Sequence, residues 1–141
     1  AAAGGVILLL SAAHPPDDMR VVRKEGAALA EAGFAVRHLA PHGAAPPMLD
    51  GVAIETLPPG LGRRRRWWPL LRRAIALRPA AIHAAEPDAW VLALLAGWRT
   101  GARVVLDVHE HYPSRLDARL PAPLRPLARG ALRLFCAAMG R

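Results

Sequence analysis

The sequence predicts an α/β fold: a doubly wound, mostly parallel, Rossmann-like sheet with helices on both faces. Short apolar segments alternate with helical patterns along most of the chain, which is typical of parallel sheets. The first apolar segment, residues 5–10, is continuous rather than alternating, as in strands that are buried on both faces. Glycine or proline separates most of the segments, and these residues mark the ends of elements.

The first three elements follow from local patterns. Residues 5–10 form the first strand, and two prolines mark the loop that follows it. A helix is predicted over residues 18–32, because Met19, Val22, Gly26 and Leu29 recur at spacings of three and four and so share one face. Gly33 suits the residue that ends this helix, and residues 34–39 form the second strand.

The remaining elements are delimited by proline and glycine. Further strands are predicted at residues 52–57, 80–84 and 103–108, and further helices at residues 69–78, at residues 87–98 and within residues 124–139. Pro69 and Pro87 suit the first turns of their helices, and Gly101 suits the residue that closes the second. Only a loop separates the second strand from the third, so a direct connection can join them.

Composition narrows the class of protein. A chain of 141 residues with 53% hydrophobic residues suits one folded domain. The net charge of +8 favours phosphate-bearing partners such as nucleic acid, anionic lipid or nucleotide sugars, without choosing among them. Cys136 is the single cysteine, so no intrachain disulfide can form. Residues 6–10 are too short and lack the basic flank of a signal peptide, and no segment is long enough to span a bilayer. We therefore expect a soluble protein.

Polar residues cluster where three of the predicted strands end. Residues 14–20 follow the first strand, residues 83–88 the fourth, and residues 109–111 the fifth. In open α/β sheets, ligands bind outside the carboxyl ends of the strands. The sequence therefore predicts that these clusters converge on one crevice.

Three segments carry a resemblance to a known family. They are His14-Pro-Pro-Asp17-Asp18-Met-Arg20 with the helix end Leu-Ala-Glu-Ala-Gly-Phe-Ala-Val, then Arg78-Pro-Ala-Ala-Ile-His-Ala-Ala-Glu-Pro-Asp, then Val104-Val-Leu-Asp-Val-His-Glu-His-Tyr-Pro. In this order they resemble the N-terminal domain of glycosyltransferase family 4, which has the GT-B fold. The first loop lacks the glycine-rich turn of many relatives, so the resemblance assigns it no role in binding the donor phosphate.

The resemblance implies a function. Residues 1–141 would form a single acceptor-side domain of an enzyme that moves a hexose from a nucleotide-sugar donor to a glycan, lipid-linked or small-molecule acceptor, with retention of configuration. The donor would bind mainly to a second, C-terminal domain that this sequence does not contain, so we expect the chain to be inactive alone. No cofactor is implied. We expect a cytoplasmic location, with or without peripheral contact with the inner face of the cell membrane.

The resemblance also implies the site residues. His109 is the catalytic candidate, because its imidazole can donate a hydrogen bond or hold a charge near the transferred sugar; alternatively it caps the end of its strand. Glu110 is a substrate-binding candidate beside it. His109, Glu110 and His111 are adjacent and lack the spacing of helical zinc ligands, so we expect no metal site.

Further substrate-binding candidates lie after the first and fourth strands: His14, Asp17, Arg20, His83 and Glu86. Each has a purely structural alternative. Asp17 can cap the first helix, and Glu86 can favour the positive end of the following helix. Arg20 is unfavourably placed in a first helical turn, which favours a paired or functional role.

An arginine–tryptophan run is the most unusual segment: Arg63, Arg64, Arg65, Arg66, Trp67 and Trp68. Tryptophan prefers the headgroup level of a membrane, and arginine is attracted to anionic lipid. The run therefore indicates contact with a membrane or another anion. Its alternative is a solvated arginine run whose tryptophans pack under the sheet.

Two other functions compete. A dinucleotide-binding oxidoreductase needs a glycine-rich first turn and an acidic residue after the second strand, and the sequence has neither. A non-enzymatic module would bind membrane or nucleic acid through the arginine run. Because such a module would not need polar clusters at the strand ends, we expect no nucleic-acid partner.

Overall fold

The computed structural model describes residues 4–108 and 121–139. The chain divides into two compact units, Ala1–Asp107 and Val108–Arg141. The first unit contains the sheet and three helices. The described part of the second contains a 3-10 turn, Ala122–Leu124, and helix α4, Arg125–Met139.

The first unit is built on one six-stranded sheet. Its strands are β1 (Ile7–Leu10), β2 (Val36–Ala40), β3 (Met48–Leu49), β4 (Val52–Thr56), β5 (Ala81–Ala84) and β6 (Arg103–Leu106). The spatial order is β3-β4-β2-β1-β5-β6, and every pairing is parallel except that of β3 with β4. The strand order reverses between β1 and β5, where ligands bind in doubly wound folds. The predicted mostly parallel sheet is confirmed.

Three helices connect the strands of the first unit. Helix α1 has a π-helical part, Val21–Gly26, and an α-helical part, Ala27–Glu31. Helix α2 (Trp67–Ala76) follows a 3-10 turn, Arg64–Arg66, and α3 is Pro87–Thr100. Among the described residues, no helix combines the length and apolar character needed to cross a membrane.

The helices cover both faces of the sheet, as predicted. Gly26 of α1 lies so close to Leu9 and Val52 that an added Cβ would approach their side chains within 3.0 Å. Gly97 of α3 lies equally close to Val104. The register pairs neighbouring strands residue by residue, and successive side chains of a strand alternate between faces. Leu9 and Val104 therefore lie on opposite faces, each under a helix.

The start of α1 differs from the predicted pattern. Met19 was expected on the buried face, but it is 62% exposed, and Val21 is buried in its place. The first turn is π-helical, with a hydrogen bond from the Glu25 N–H to the Arg20 carbonyl. A π-helical hydrogen bond joins residues that are five apart instead of four, which shifts the buried face of the helix. The spacing of three and four that placed Met19 on this face therefore does not hold in the first turn.

Two other features differ from the sequence-based prediction, namely an additional strand and the start of helix α2. Strand β3 was not predicted; it forms a hairpin with β4 through Asp50 and Gly51, which have φ of 49° and 81°. Such Asp-Gly pairs favour the tight turns of hairpins. Helix α2 begins at Trp67 rather than Pro69, and a 3-10 turn formed by Arg64–Arg66 precedes it.

Candidate functional site

A group of charged side chains gathers at the carboxyl ends of β1, β5 and β6. They come from the loop after β1, from α1, and from the ends of β5 and β6. We call them the crevice cluster: His14, Asp18, Arg20, Glu25, His83, Glu86 and Asp107.

Glu86 anchors the cluster to the loop after β1. Its side chain comes from the residue before α3 and is buried, with the residue 8% exposed. One carboxylate oxygen accepts hydrogen bonds from the backbone N–H groups of Ala12 and Ala13, the latter at 2.7 Å. Burial raises the pKa of Glu86, although these two N–H donors oppose the shift. The carboxylate therefore fixes the loop and keeps its second oxygen directed at the crevice.

His14 lies between two carboxylates. Its Nδ1 is 3.1 Å from Asp18 Oδ2, and its Nε2 is 3.3 Å from Glu86 Oε2, at ion-pair distance but without hydrogen-bond geometry. The imidazole can thus donate a hydrogen bond to Asp18, whereas its contact with Glu86 is an electrostatic one.

Asp18 caps α1. Its Oδ1 accepts from the backbone N–H groups of Arg20 at 3.0 Å and Val21 at 2.8 Å. Burial opposes ionisation, but these amides together with His14 outweigh it, so the pKa of Asp18 is lowered. The capping residue is therefore Asp18, whereas the neighbouring Asp17 is exposed.

Arg20 joins the acids of α1 and β6. It donates to Glu25 Oε1 at 2.8 Å and to Asp107. Burial lowers its pKa, but Asp107 and Glu25 outweigh that effect and the pKa is raised. The unfavourable position of Arg20 beside a helix start is thus balanced by two carboxylates, as the expected paired role requires.

His83 completes the cluster from the face of β5. Its Nδ1 lies 3.6 Å from Glu25 Oε2, and both atoms are buried without a hydrogen-bond partner among the residues that the structure describes. Single ligand atoms of Glu25, His83 and Asp107 lie within 4.8 Å of one another, which is compatible with a metal ion. Arg20 already places a positive charge between the carboxylates of Glu25 and Asp107, where it would compete with a metal ion. The same arrangement also suits hydroxyl groups, because a hydroxyl can donate to Glu25 and accept from His83.

A buried histidine of β2, His38, contacts the loop that follows β1. Nδ1 of His38 lies 3.2 Å from the carbonyl oxygen of Pro16, and Nε2 lies 3.0 Å from the hydroxyl of Ser11. Burial lowers the pKa of His38, so the ring is neutral, donates to Pro16 and accepts from Ser11. His38 thus ties the start and the middle of the loop to β2.

Four predicted substrate-binding residues meet in the cluster: His14, Arg20, His83 and Glu86. Asp17 does not join it, because Asp18 occupies the capping position. His109, Glu110 and His111 lie outside the residues that the structure describes. Glu25 and Asp107 were not singled out beforehand, although Asp107 lies next to the last residue of a predicted strand, a position that could have indicated it.

Two residues of the arginine run, Arg63 and Arg66, make hydrogen bonds within the chain. Arg63 donates to Asp88 in the first turn of α3 at 2.7 Å, and Arg66 donates to the carbonyl of Leu61 at 2.7 Å. Asp88 raises the pKa of Arg63 by this hydrogen bond. Trp68 is 65% exposed, which rules out the alternative in which both tryptophans are packed under the sheet.

Comparison with known proteins assigns the family. No curated protein and no solved structure matches the chain significantly. The family model of the glycosyl transferase 4-like domain matches residues 19–138, a range that includes α1, the whole sheet except β1, and α4. The chain is therefore a member of the glycosyl transferase 4-like domain family, as its sequence motifs and its α/β sheet indicate.

Proposed function

We propose that this chain is the acceptor-binding domain of a glycosyltransferase that moves a hexose from a nucleotide sugar to a hydroxyl group. The family supports the coarser statement that the chain belongs to a glycosyltransferase. The acceptor would be a glycan, a lipid-linked sugar or a small molecule. A second domain would bind most of the donor, so the chain alone would not turn over, and no further cofactor would be required.

The crevice cluster is the observation that carries this proposal. It presents carboxylate acceptors beside imidazole and guanidinium donors within one part of the sheet edge. Neighbouring hydroxyls of a sugar need such a mixture, because each hydroxyl both donates and accepts. Hydrogen bonds to charged groups contribute about 1.5–3 kcal/mol each, so a few of them can orient an otherwise polar ligand.

Different members of the cluster would have different roles. Glu25 and His83 would hold acceptor hydroxyls through Oε2 and Nδ1, which have no hydrogen-bond partner in the described part of the chain. Arg20 and Asp18 would keep the loop and α1 in place. His14 would position the loop after β1 at the edge of the crevice through its contacts with Asp18 and Glu86.

Transfer would occur at the mouth of the crevice. Alignment of the acceptor hydroxyl with the anomeric carbon contributes to rate by removing the entropy of encounter. In the retaining reaction implied by the resemblance, the donor phosphate assists removal of the hydroxyl proton. His109 would contact the transferred sugar, and Glu110 would bind substrate beside it. We expect this reaction in the cytoplasm.

A charge-removing substitution tests the proposal. In a protein that carries both domains, Glu86→Gln keeps the acceptor for the Ala12 and Ala13 amides but removes the negative charge beside His14. We expect kcat/KM to fall by about 10- to 100-fold, because His14 loses its charged partner and the Ala12 and Ala13 amides lose a charged acceptor, a loss of about 1.5–3 kcal/mol. Release of nucleoside diphosphate from a panel of nucleotide sugars measures this change.

Glu31→Gln is the matched control, because Glu31 is an exposed acid at the end of α1. It should leave kcat/KM unchanged. Equal activity of the two variants would remove the crevice cluster from acceptor binding.

A further inference from the structure

Among the contacts that the described residues make, none engages two of the cations and one indole of the arginine run, so these groups are free to meet a partner. Arg63 and Arg66 are engaged within the chain, whereas Arg64 and Arg65 are exposed in the 3-10 turn before α2. Trp68 follows in the first turn of α2 and is 65% exposed. We call Arg64, Arg65 and Trp68 the arginine surface.

The charges near the start of α2 do not favour two adjacent exposed arginines. The start of α2 carries the positive end of the helix dipole, where a cation costs about 0.3–1 kcal/mol. No acidic residue lies in the first turn of α2 or in the preceding 3-10 turn. Arg64 and Arg65 therefore add positive charge where the backbone is already positive. An external anion would relieve this repulsion.

We propose that the arginine surface binds the anionic phospholipid surface of a membrane. The guanidinium groups of Arg64 and Arg65 would bind headgroup phosphates, which they match in geometry. The indole of Trp68, one helical turn away, would lie at the headgroup level, which its apolar ring and polar N–H favour. An exposed indole beside two cations is therefore better suited to contact with an anionic phospholipid surface than to contact with water alone.

A nucleic-acid strand fits the surface less well. Proteins that bind single strands combine a basic groove with several aromatic platforms on which successive bases stack. The arginine surface offers one exposed indole on a helix, since Trp67 beside it is half-buried. A lipid surface needs neither a groove nor a series of platforms.

The surface lies at the same sheet edge as the crevice cluster. The ion pair of Arg63 with Asp88 joins the start of α2 to the first turn of α3. Glu86 of the crevice cluster lies two residues before Asp88 and directly precedes α3. Membrane contact would therefore bring the crevice close to the bilayer. This last consequence alone depends on the proposed function, and it would favour a lipid-linked acceptor.

Vesicle sedimentation tests the binding without any assay of transfer. The chain is mixed with phosphatidylcholine–phosphatidylglycerol vesicles and, separately, with pure phosphatidylcholine vesicles. We expect binding to the mixed vesicles only. The double substitution Arg64→Ser and Arg65→Ser should weaken it about 30-fold, from about 1 kcal/mol per arginine. Trp68→Ala should weaken it several-fold, and thermal unfolding should show that each variant stays folded.

The matched control removes the same charge from the opposite sheet edge. Arg78 precedes β5, and Arg103 begins β6; both are exposed. Arg78→Ser with Arg103→Ser should retain binding within about twofold, because charges beyond a Debye length of about 10 Å are screened. Equal losses in both double variants, or equal binding to pure phosphatidylcholine, would overturn the proposal. Tighter binding to an oligonucleotide that depends on Arg64 and Arg65 would replace it with a nucleic-acid surface.

Discussion

The crevice cluster and the arginine surface lie at the same edge of one sheet, yet their charges are held in opposite ways. In the crevice cluster, acids and bases are part-buried and bonded to one another or to backbone amides. In the arginine surface, like charges stand exposed before a helix that repels them.

The difference indicates two kinds of recognition. Bonded and part-buried groups keep a fixed geometry before a ligand arrives, which suits a small polar molecule with defined hydroxyls. Exposed cations adapt to many positions, which suits an extended anionic surface. If this comparison is correct, substitutions in the crevice cluster and its support should change stability markedly, whereas removal of Arg64 or Arg65 should leave it unchanged or raise it by less than about 1 kcal/mol.

The largest effect on stability is expected below the crevice. His38→Ala removes a buried ring, leaves the Ser11 hydroxyl without its acceptor and leaves the Pro16 carbonyl without its donor. We expect the free energy of unfolding to fall by about 3 kcal/mol, measured by urea denaturation. His42→Ala, at an exposed histidine shortly after β2, should change it by less than about 0.5 kcal/mol. Similar values for both variants would show that His38 does not fix the loop.

The next effect separates two roles of Glu86. Both Glu86→Ala and Glu86→Gln remove its charge, but only the glutamine still accepts from the backbone N–H groups of Ala12 and Ala13. Because Ala12 is buried, its N–H would be left unsatisfied in the alanine variant. We expect Glu86→Ala to be less stable than Glu86→Gln by about 2 kcal/mol in the same denaturation measurement. Equal stability would mean that the carboxylate does not hold the loop.

A smaller effect distinguishes Asp18 from Glu86 by pH. The pKa of Asp18 is lowered below 3.8, so its stabilisation is present above that pH and is lost as pH falls through the folded-state pKa. The pKa of Glu86 is raised above 4.5, so its contribution is present below that pH and is lost as pH rises through the folded-state pKa.

Thermal unfolding from pH 3 to neutrality, about four units of pH, checks these opposite signs. Relative to the parent chain, Asp18→Asn should lose most stability at neutral pH and little at the acid end. Glu86→Gln should gain relative stability as the pH rises above 4.5. Parallel curves for the two variants would contradict the different surroundings described for these acids.

The sheet could be predicted because its signals are local. The continuous apolar run of β1, the proline at the start of α3 and the glycine after it act within a few residues. Strand β3 was missed because it has only two residues and depends on pairing with β4. The start of α1 was misplaced because the π-helical turn follows from packing rather than from a local pattern.

The candidate site was predictable where topology alone decides it. His14, His83 and Glu86 lie at strand ends, and parallel strands bring those ends together. The choice between Asp17 and Asp18 was not predictable, because adjacent acids have the same capping propensity. Glu25 was missed because its direction depends on the π-helical turn, and His38 because a strand pattern does not identify hydrogen-bond partners on other elements.

The most direct test of the central claim is amide NMR of the chain during titration with a panel of free sugars. If the crevice cluster binds acceptor hydroxyls, one of the sugars should shift the backbone amides of Ala12 and Ala13, which donate to Glu86, and Glu86→Gln should weaken that response. Shifts confined to the groove of about 480 Å³ lined by Arg23, Glu31 and Asp50, with Ala12 and Ala13 unchanged, would contradict the account.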